Sequence, residues 1–237
     1  MLAPVPTAMP TPDAATQTDR AYQALHAAIV RCDVAPGARL RVEELSRHLG
    51  VSSSPLREAL ARLTGRGLVL ALENRGFRVA PLTLAGLADV TRVRLIVERE
   101  ALREAMTHGD DAWEASVVAA GHALALAEQR LGAQPRALDD DWSQRHRAFH
   151  LSLYAGARSP TLQALVGDLF DAAERYRRFS AQHRKAPRAK RSEHQALQSA
   201  VLARDAERAL GLLAAHMAST ERNVAAALLA MGLDRTQ

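Results

Sequence analysis

Apolar positions recur at helical spacing along most of this chain. Over residues 19–32, Tyr22, Leu25, Ile29 and Val30 fall near a 3.6-residue period, which predicts an amphipathic helix. Ala35-Pro36-Gly37 ends it in a turn. Residues 42–49 predict a short helix stopped by Gly50. Ser52-Ser53-Ser54-Pro55 then has the form of a Ser cap with Pro at the first helical position, opening a helix that runs through Leu60 and Leu63 to about Gly65. Two short apolar runs, 68–72 and 77–80, flank Glu73-Asn74-Arg75-Gly76, where Gly supplies the positive φ of a hairpin turn. Pro81 and Leu82 read as a connector. From Thr83 onward the pattern is helical, with breaks near Gly109-Asp110, Gly132 to Pro135, Ala157 to Pro160, Ala186-Pro187 and Arg204-Asp205. Ser159-Pro160 repeats the cap-plus-Pro signature. The expected architecture is mostly α. A disordered tail (1–17) precedes a small helical domain with a hairpin (18–80), a connector (81–84) and an all-α bundle of six or so helices (85–232).

Composition narrows the class. The long Ala/Leu/Arg-rich runs and few aromatics agree with helix. A formal charge of +5 and a pI near 10.1 fit a nucleic-acid partner. The single Cys32 excludes an internal disulfide framework and fits a reducing cytosol. No run of apolar residues is long enough to span a bilayer. The Pro-, Ala- and Thr-rich amino terminus lacks the charged start and apolar core of a signal peptide.

Helix, short helix, Gly turn, helix and hairpin is the order of a winged helix-turn-helix. The second helix of such a pair enters the major groove and sets its first residues against base edges. Here those are Ser53, Ser54 and Arg57, and Arg is the side chain best matched to guanine O6 and N7. Arg75, Gly76 and Arg78 lie at the hairpin, where a wing meets phosphate or the minor groove. Residues 18–80 hold ten Arg against six Asp or Glu. The competing reading is a helical hairpin with a solvated charged face.

Four histidines carry the other candidate chemistry. His146 and His150 are four residues apart on one helix face, close enough to share an ion. His194 and His216 lie on two later helical stretches. Imidazole is a good ligand for zinc, nickel, copper and iron. Convergence of the four would make a metal site; a lone HxxxH pair is as often a polar stripe. His26, His48, His108, His122 and His183 have no partner at metal-ligand spacing.

The stretch from Ile29 to Leu40, the run Glu43-Glu44-Leu45-Ser46 through Leu63, and Gly67-Leu68-Val69 with Arg75-Gly76-Phe77-Arg78-Val79 resemble the DNA-binding domain of GntR-family regulators. That family commonly has Arg where this chain has Ser53; Arg57 keeps the family's Arg. The remainder, through Val93-Arg94-Leu95-Ile96-Val97-Glu98, Phe149-His150, Glu193-His194-Gln195 and His216-Met217, resembles the FCD effector domain of the FadR subfamily. The resemblance implies a divalent metal held by an Asp, a His four residues later and two more His. His150, His194 and His216 fall on the three His positions, and His146 replaces the Asp. By ligand type, that exchange favours zinc, nickel or copper over manganese or magnesium.

The resemblance further implies a homodimeric, ligand-responsive repressor that binds double-stranded operator DNA and a small organic acid. Arg94 matches an Arg that faces the effector pocket in many members, against the alternative of a surface ion pair with Glu98. Arg145, Tyr176 and Arg177 are further pocket candidates. The full histidine set argues against an acyl-CoA effector. Two other classes stand beside this one. A metal-dependent hydrolase with a DNA-binding appendage would need a general base, and there is no HExxH motif or nucleophile elbow. The third is a non-specific architectural DNA binder.

Overall fold

The computed structural model describes residues 16–73, 75–131, 139–183 and 191–232, with backbone alone at 191 and 192. The expected tail therefore lies outside the described residues apart from Thr16 and Gln17, as do Asn74 and the predicted breaks at 132–135 and 186–187. The chain divides into two compact units, one of residues 1–27 and 38–79, the other of 28–37 and 80–237.

In the first unit, α1 (Gln17–Val30) buries Ala21, Tyr22 and Leu25 before passing into the second. β1 (Arg39–Leu40) leads into α2 (Val42–Leu49), which ends at Gly50 in the left-handed conformation, φ 63°. α3 (Ser53–Gly65) is followed by β2 (Val69–Leu72) and β3 (Gly76–Val79). The three strands form an antiparallel sheet in the order β1-β3-β2. Leu56, Ala59, Leu60 and Leu63 of α3 are fully buried, as are Val69 and Val79 of the sheet. Two expectations change here. β1 was not foreseen, because two residues are too short to show a period-2 pattern. α3 starts two residues earlier than the Pro signature indicated: Ser52 is the N-cap, its side chain makes no cap bond, and Pro55 is the third helical residue. Proline is tolerated there because the first-turn amides have no intrahelical partner to lose.

The second unit contains α4 (Leu84–His108), α5 (Asp111–Leu131), α6 (Asp140–Tyr154), α7 (Pro160–Gln182), α8 (Arg191–Leu202) and α9 (Ala206–Ala230). Among the described residues, five of these helices are capped by side chains that accept a first-turn amide: Thr83 from Gly86, Asp110 from Trp113, Asp139 from Trp142, Ser159 from Leu162 and Asp205 from Arg208. Pro160 does occupy the first position of α7. The main core joins Ala101, Leu102, Trp113, Val117, Leu124, Phe149, Leu153, Leu197, Val201 and Leu213, from every helix except α7, which adds Val166. A second cluster holds Leu82, Leu87, Tyr176, Val224 and Leu228. Leu82 is thus an anchored core residue. The segment expected to be a connector over 81–84 ends with the Thr83 cap, and α4 begins at Leu84.

Candidate functional site

His146 and His150 are one turn apart on α6, buried on the face that carries Phe149 and Leu153 into the core. His194 lies in the first turn of α8 and His216 in the middle of α9. Three helices distant in sequence thereby bring four imidazoles together, each offering one ligand atom within 4.8 Å of the others. His146, His150 and His194 are 6%, 1% and 6% exposed. Ring centroids are 4.6 Å apart for His146–His150, 5.2 Å for His150–His216 and 5.1 Å for His194–His216.

The donor set fits a divalent transition ion. Nδ1 of His146 and both ring nitrogens of His150 and His194 are buried with no hydrogen-bond partner among the described residues. A buried polar atom left without a partner costs about 1–3 kcal/mol, so several converging on one point is an arrangement a cation would stabilise. Burial and neighbouring positive groups, Arg177 for His146 and the other histidines for both, hold His146 and His150 neutral to well below the ordinary imidazole range. Neutral imidazole is the ligating form.

Groups behind the rings orient them. Nδ1 of His216 is 2.9 Å from Oε2 of Glu193, which leaves Nε2 as the lone pair available to an ion. Nδ1 of His194 lies 3.5 Å from the buried Glu128 carboxylate, too far for a good hydrogen bond but close enough for electrostatic support. Trp142 stacks on His146 at 4.5 Å and 18°, and the Arg177 guanidinium covers the other ring of that stack, 4.6 Å from the Trp142 centroid. Glu128, Glu193 and Trp142 were not candidates from sequence. Glu193 reaches His216, twenty-three positions on, a relation no local periodicity reveals.

The expected effector residues separate into two groups. Arg94 does pair with Glu98, its Nε donating to Oε1 at 2.6 Å, but away from the surface, at 13% and 0% exposure. Tyr154 donates to the other Glu98 oxygen at 2.5 Å. Arg94 lies 5.6 Å from the Phe170 centroid, and that ring is 5.6 Å from both His146 and His150. Arg177, bonded to Glu174, borders the cluster through Trp142. Arg145 and Tyr176 do not join them. Arg145 donates to Asp141 and to the Ala123 carbonyl on α5, because its position beside His146 turns it about 100° around the helix. Tyr176 sits in the second apolar cluster, its hydroxyl at Thr83.

In the first unit, Ser53, Ser54 and Arg57 are exposed at the start of α3, and Arg75 and Arg78 are exposed on the hairpin beside Gly76, which has φ 86°.

A winged helix-turn-helix joined to a helical bundle with a buried histidine cluster defines a DNA-binding regulator with a sensing domain. Residues 17–79 match the family of bacterial regulatory proteins described as gntR, and residues 89–219 match the FCD domain. The chain belongs to the GntR family and carries an FCD domain. It is 39% identical over 84% of its length to the HTH-type transcriptional regulator BphR of Paraburkholderia xenovorans, of which the match covers 81%. It is 36% identical over 83% of its length to the HTH-type transcriptional repressor GlaR of Escherichia coli, covering 90% of that protein. Among solved structures, E. coli McbR/YncC shares the fold with a TM-score of 0.73 at 22% identity, covering 91% of this chain and 99% of that one. A GntR regulator from Rhodococcus aligns with a TM-score of 0.67 at 25% identity, over 88% of this chain and 97% of its own. The chain is accordingly a ligand-responsive transcription regulator, and the hydrolase reading is set aside because the families and relatives it matches are regulators. No helix among the described residues is long and apolar enough to cross a membrane.

Burial of the histidines generates a pH dependence. On unfolding, His146 and His150 regain an ordinary value near 6.5. Between that value and their depressed folded values the unfolded chain binds more protons, so stability rises with pH and falls on acidification. Metal-free protein in chelator should therefore lose stability as the pH falls below about 6.5. Urea unfolding at pH 7.5 and 5.5 measures this; His150→Asn should reduce the loss, and an identical pH dependence in the two proteins would contradict it.

Proposed function

We propose that this chain is a repressor of the FadR type which binds a palindromic operator as a homodimer and responds to a small carboxylate in its FCD domain. The observation that carries the sensing half is the convergence of His146, His150, His194 and His216, with orphaned nitrogens, one ring away from Arg94. These four histidines would hold one divalent ion. An all-nitrogen neutral set favours zinc, with nickel or copper next, over the oxygen-seeking magnesium or manganese. Such an ion supplies positive charge and, beyond four protein ligands, room for an anionic oxygen.

The repressor reading is supported by relatives that are themselves repressors. Among the described residues, Arg94 and Arg177 are cations that act on the cluster, and a guanidinium offers a carboxylate two parallel hydrogen bonds. To present its fork, Arg94 must share or exchange its contact with Glu98, whose second oxygen Tyr154 holds in place. That gives an effector a means of preferring one arrangement of α4 over another, which is the thermodynamic requirement for changing operator affinity. α4 begins at Leu84, a few positions past the last wing strand, so a shift of this helix is passed on covalently. On the DNA side, Arg57 reads bases, and Ser53, shorter than the family's usual Arg, contributes less to base choice.

The metal is tested on protein made without a histidine tag. Elemental analysis should give about one transition ion per chain. Chelator should lower the melting temperature of wild type and leave that of His150→Ala nearly unchanged, because only metal bound to the native fold stabilises it. Identical melting of the wild type in chelator and in zinc would refute the site.

For the effector, small organic acids are screened by thermal shift on the metal-loaded protein. Arg94→Ala starts lower, by about 3–5 kcal/mol, because Glu98 is left as a buried unpaired carboxylate. The readout is therefore the ligand-induced shift, which should shrink in Arg94→Ala. An equal shift in both proteins removes Arg94 as the carboxylate clamp.

Arg57→Ala should weaken operator binding by about 1–3 kcal/mol and relax base preference. Unchanged affinity on the specific duplex would sink the assignment of Arg57.

A further inference from the structure

The first unit has a groove of about 560 Å³ between the start of α2, the start of α3 and the hairpin. Its lining includes Arg39, Arg41, Arg57 and Arg75, with Glu43 as the acidic residue and Phe77 on its apolar wall. Arg39 also stands directly opposite Arg78 across the β1–β3 pair, and both are exposed. Like charges opposite one another destabilise a sheet. Among the described residues, Arg39, Arg57, Arg75 and Arg78 have no carboxylate partner. Arg41 has one, Glu44 at 2.8 Å, but both are more than half exposed, and such pairs contribute little. The fold thus gathers positive charge that, among the described residues, is only weakly offset by Glu43 and Glu44.

The position of this charge selects its ligand. The groove runs from Arg57, on the reading helix, to Arg75, on the wing. When a helix start faces base edges in the major groove, the phosphodiester strand bordering that groove passes beside it. We propose that Arg39 and Arg41, with Arg75, form a clamp for the phosphodiester backbone of duplex DNA, while Arg57 at the edge of the same groove faces the bases. This rests on the reading of the chain as a DNA-binding regulator and adds two arginines that precede the helix-turn-helix. Phosphate contacts fix register and carry affinity without reading sequence. Ser53 cannot supply charge at the reading helix, and the clamp provides it from the opposite wall of the groove.

Each phosphate neutralised releases counterions, so the number of such contacts appears in the salt dependence of binding. The test uses the full chain and a duplex recovered from a random-sequence library by selection on the wild-type protein, with a scrambled duplex beside it. Affinity is measured across a range of salt by fluorescence anisotropy. Arg39→Ala and Arg41→Ala should each lower the slope of log affinity against log salt by about 1 per bound chain. Both duplexes should weaken by the same factor, whereas Arg57→Ala should narrow the difference between them. Arg41→Lys, which keeps the charge, should restore the slope. Circular dichroism melts confirm that these exposed substitutions leave the fold intact. If the double variant Arg39→Ala/Arg41→Ala keeps the wild-type slope while the wild type still prefers the selected duplex, the clamp is overturned and the DNA-reading role of α3 stands. If the wild type prefers no duplex, the regulator reading fails and the clamp with it. If inorganic phosphate raises the melting temperature through Arg41 while the salt slope stays unchanged, the groove is a small-anion site and the proposal is again overturned.

Discussion

The second unit is organised around the removal of imidazoles from water. Burying an ionisable ring favours its neutral form, and neutral rings packed edge to face present lone pairs that must point somewhere. Here they point at one another. His150 is 1% exposed with neither nitrogen bonded among the described residues, and it lies between the rings of Phe149 and Phe170, 5.4 Å and 5.6 Å away. Apolar packing that would otherwise penalise four polar rings becomes the means of holding them neutral and aligned for an ion. Stability and ligand chemistry are therefore coupled in the same side chains.

Charge is handled differently in the two units. In the bundle, several buried or part-buried cations are paired with carboxylates: Arg94 with Glu98, Arg177 and Arg178 with Glu174, and the half-exposed Arg147 with the buried Asp171 in a bidentate contact, whereas the buried Arg175 donates to the Ala80 carbonyl. A ligand must then compete with an existing partner, which makes its binding a rearrangement and gives it leverage over the helix that bears Arg94. In the first unit the groove arginines Arg39, Arg57 and Arg75 have no carboxylate partner among the described residues and Arg41 has only an exposed one, so their cost is small and a polyanion can collect them. One arrangement suits a switch and the other suits a long charged partner.

Sequence alone determined much of the architecture. Helical periodicity in apolar positions, Gly50 as a left-handed stop, Gly76 in the hairpin and Ser159-Pro160 at the start of α7 each act through a few adjacent residues, so each is legible locally. The i, i+4 spacing put His146 and His150 on one face for the same reason. Composition and charge pointed to nucleic acid, and the resemblance of residues 18–80 and of the later histidines to a known family located both candidate sites. α3 starts two residues before the Pro signature because a run of Ser offers several equivalent caps, and β1, only two residues long, carries no period-2 pattern of its own.

Tertiary structure decided what depends on distant elements meeting. Whether His194 and His216 join the pair on α6 turns on how α8 and α9 pack. So does the contact of Glu193 with His216, since a helix fixes only where a side chain leaves its own axis. Arg94 has the Glu98 partner that i+4 spacing allows, yet only the packing of Tyr154 and Phe170 makes it a buried pair near the histidines rather than a surface one. Arg145 and Tyr176 show the converse: proximity in sequence to functional residues gave them no place in the cluster, because neighbours on a helix diverge and the bundle uses one face. The sequence specified which side chains were available and on which local face; the packing of α4, α6, α7, α8 and α9 determined which of them share a site.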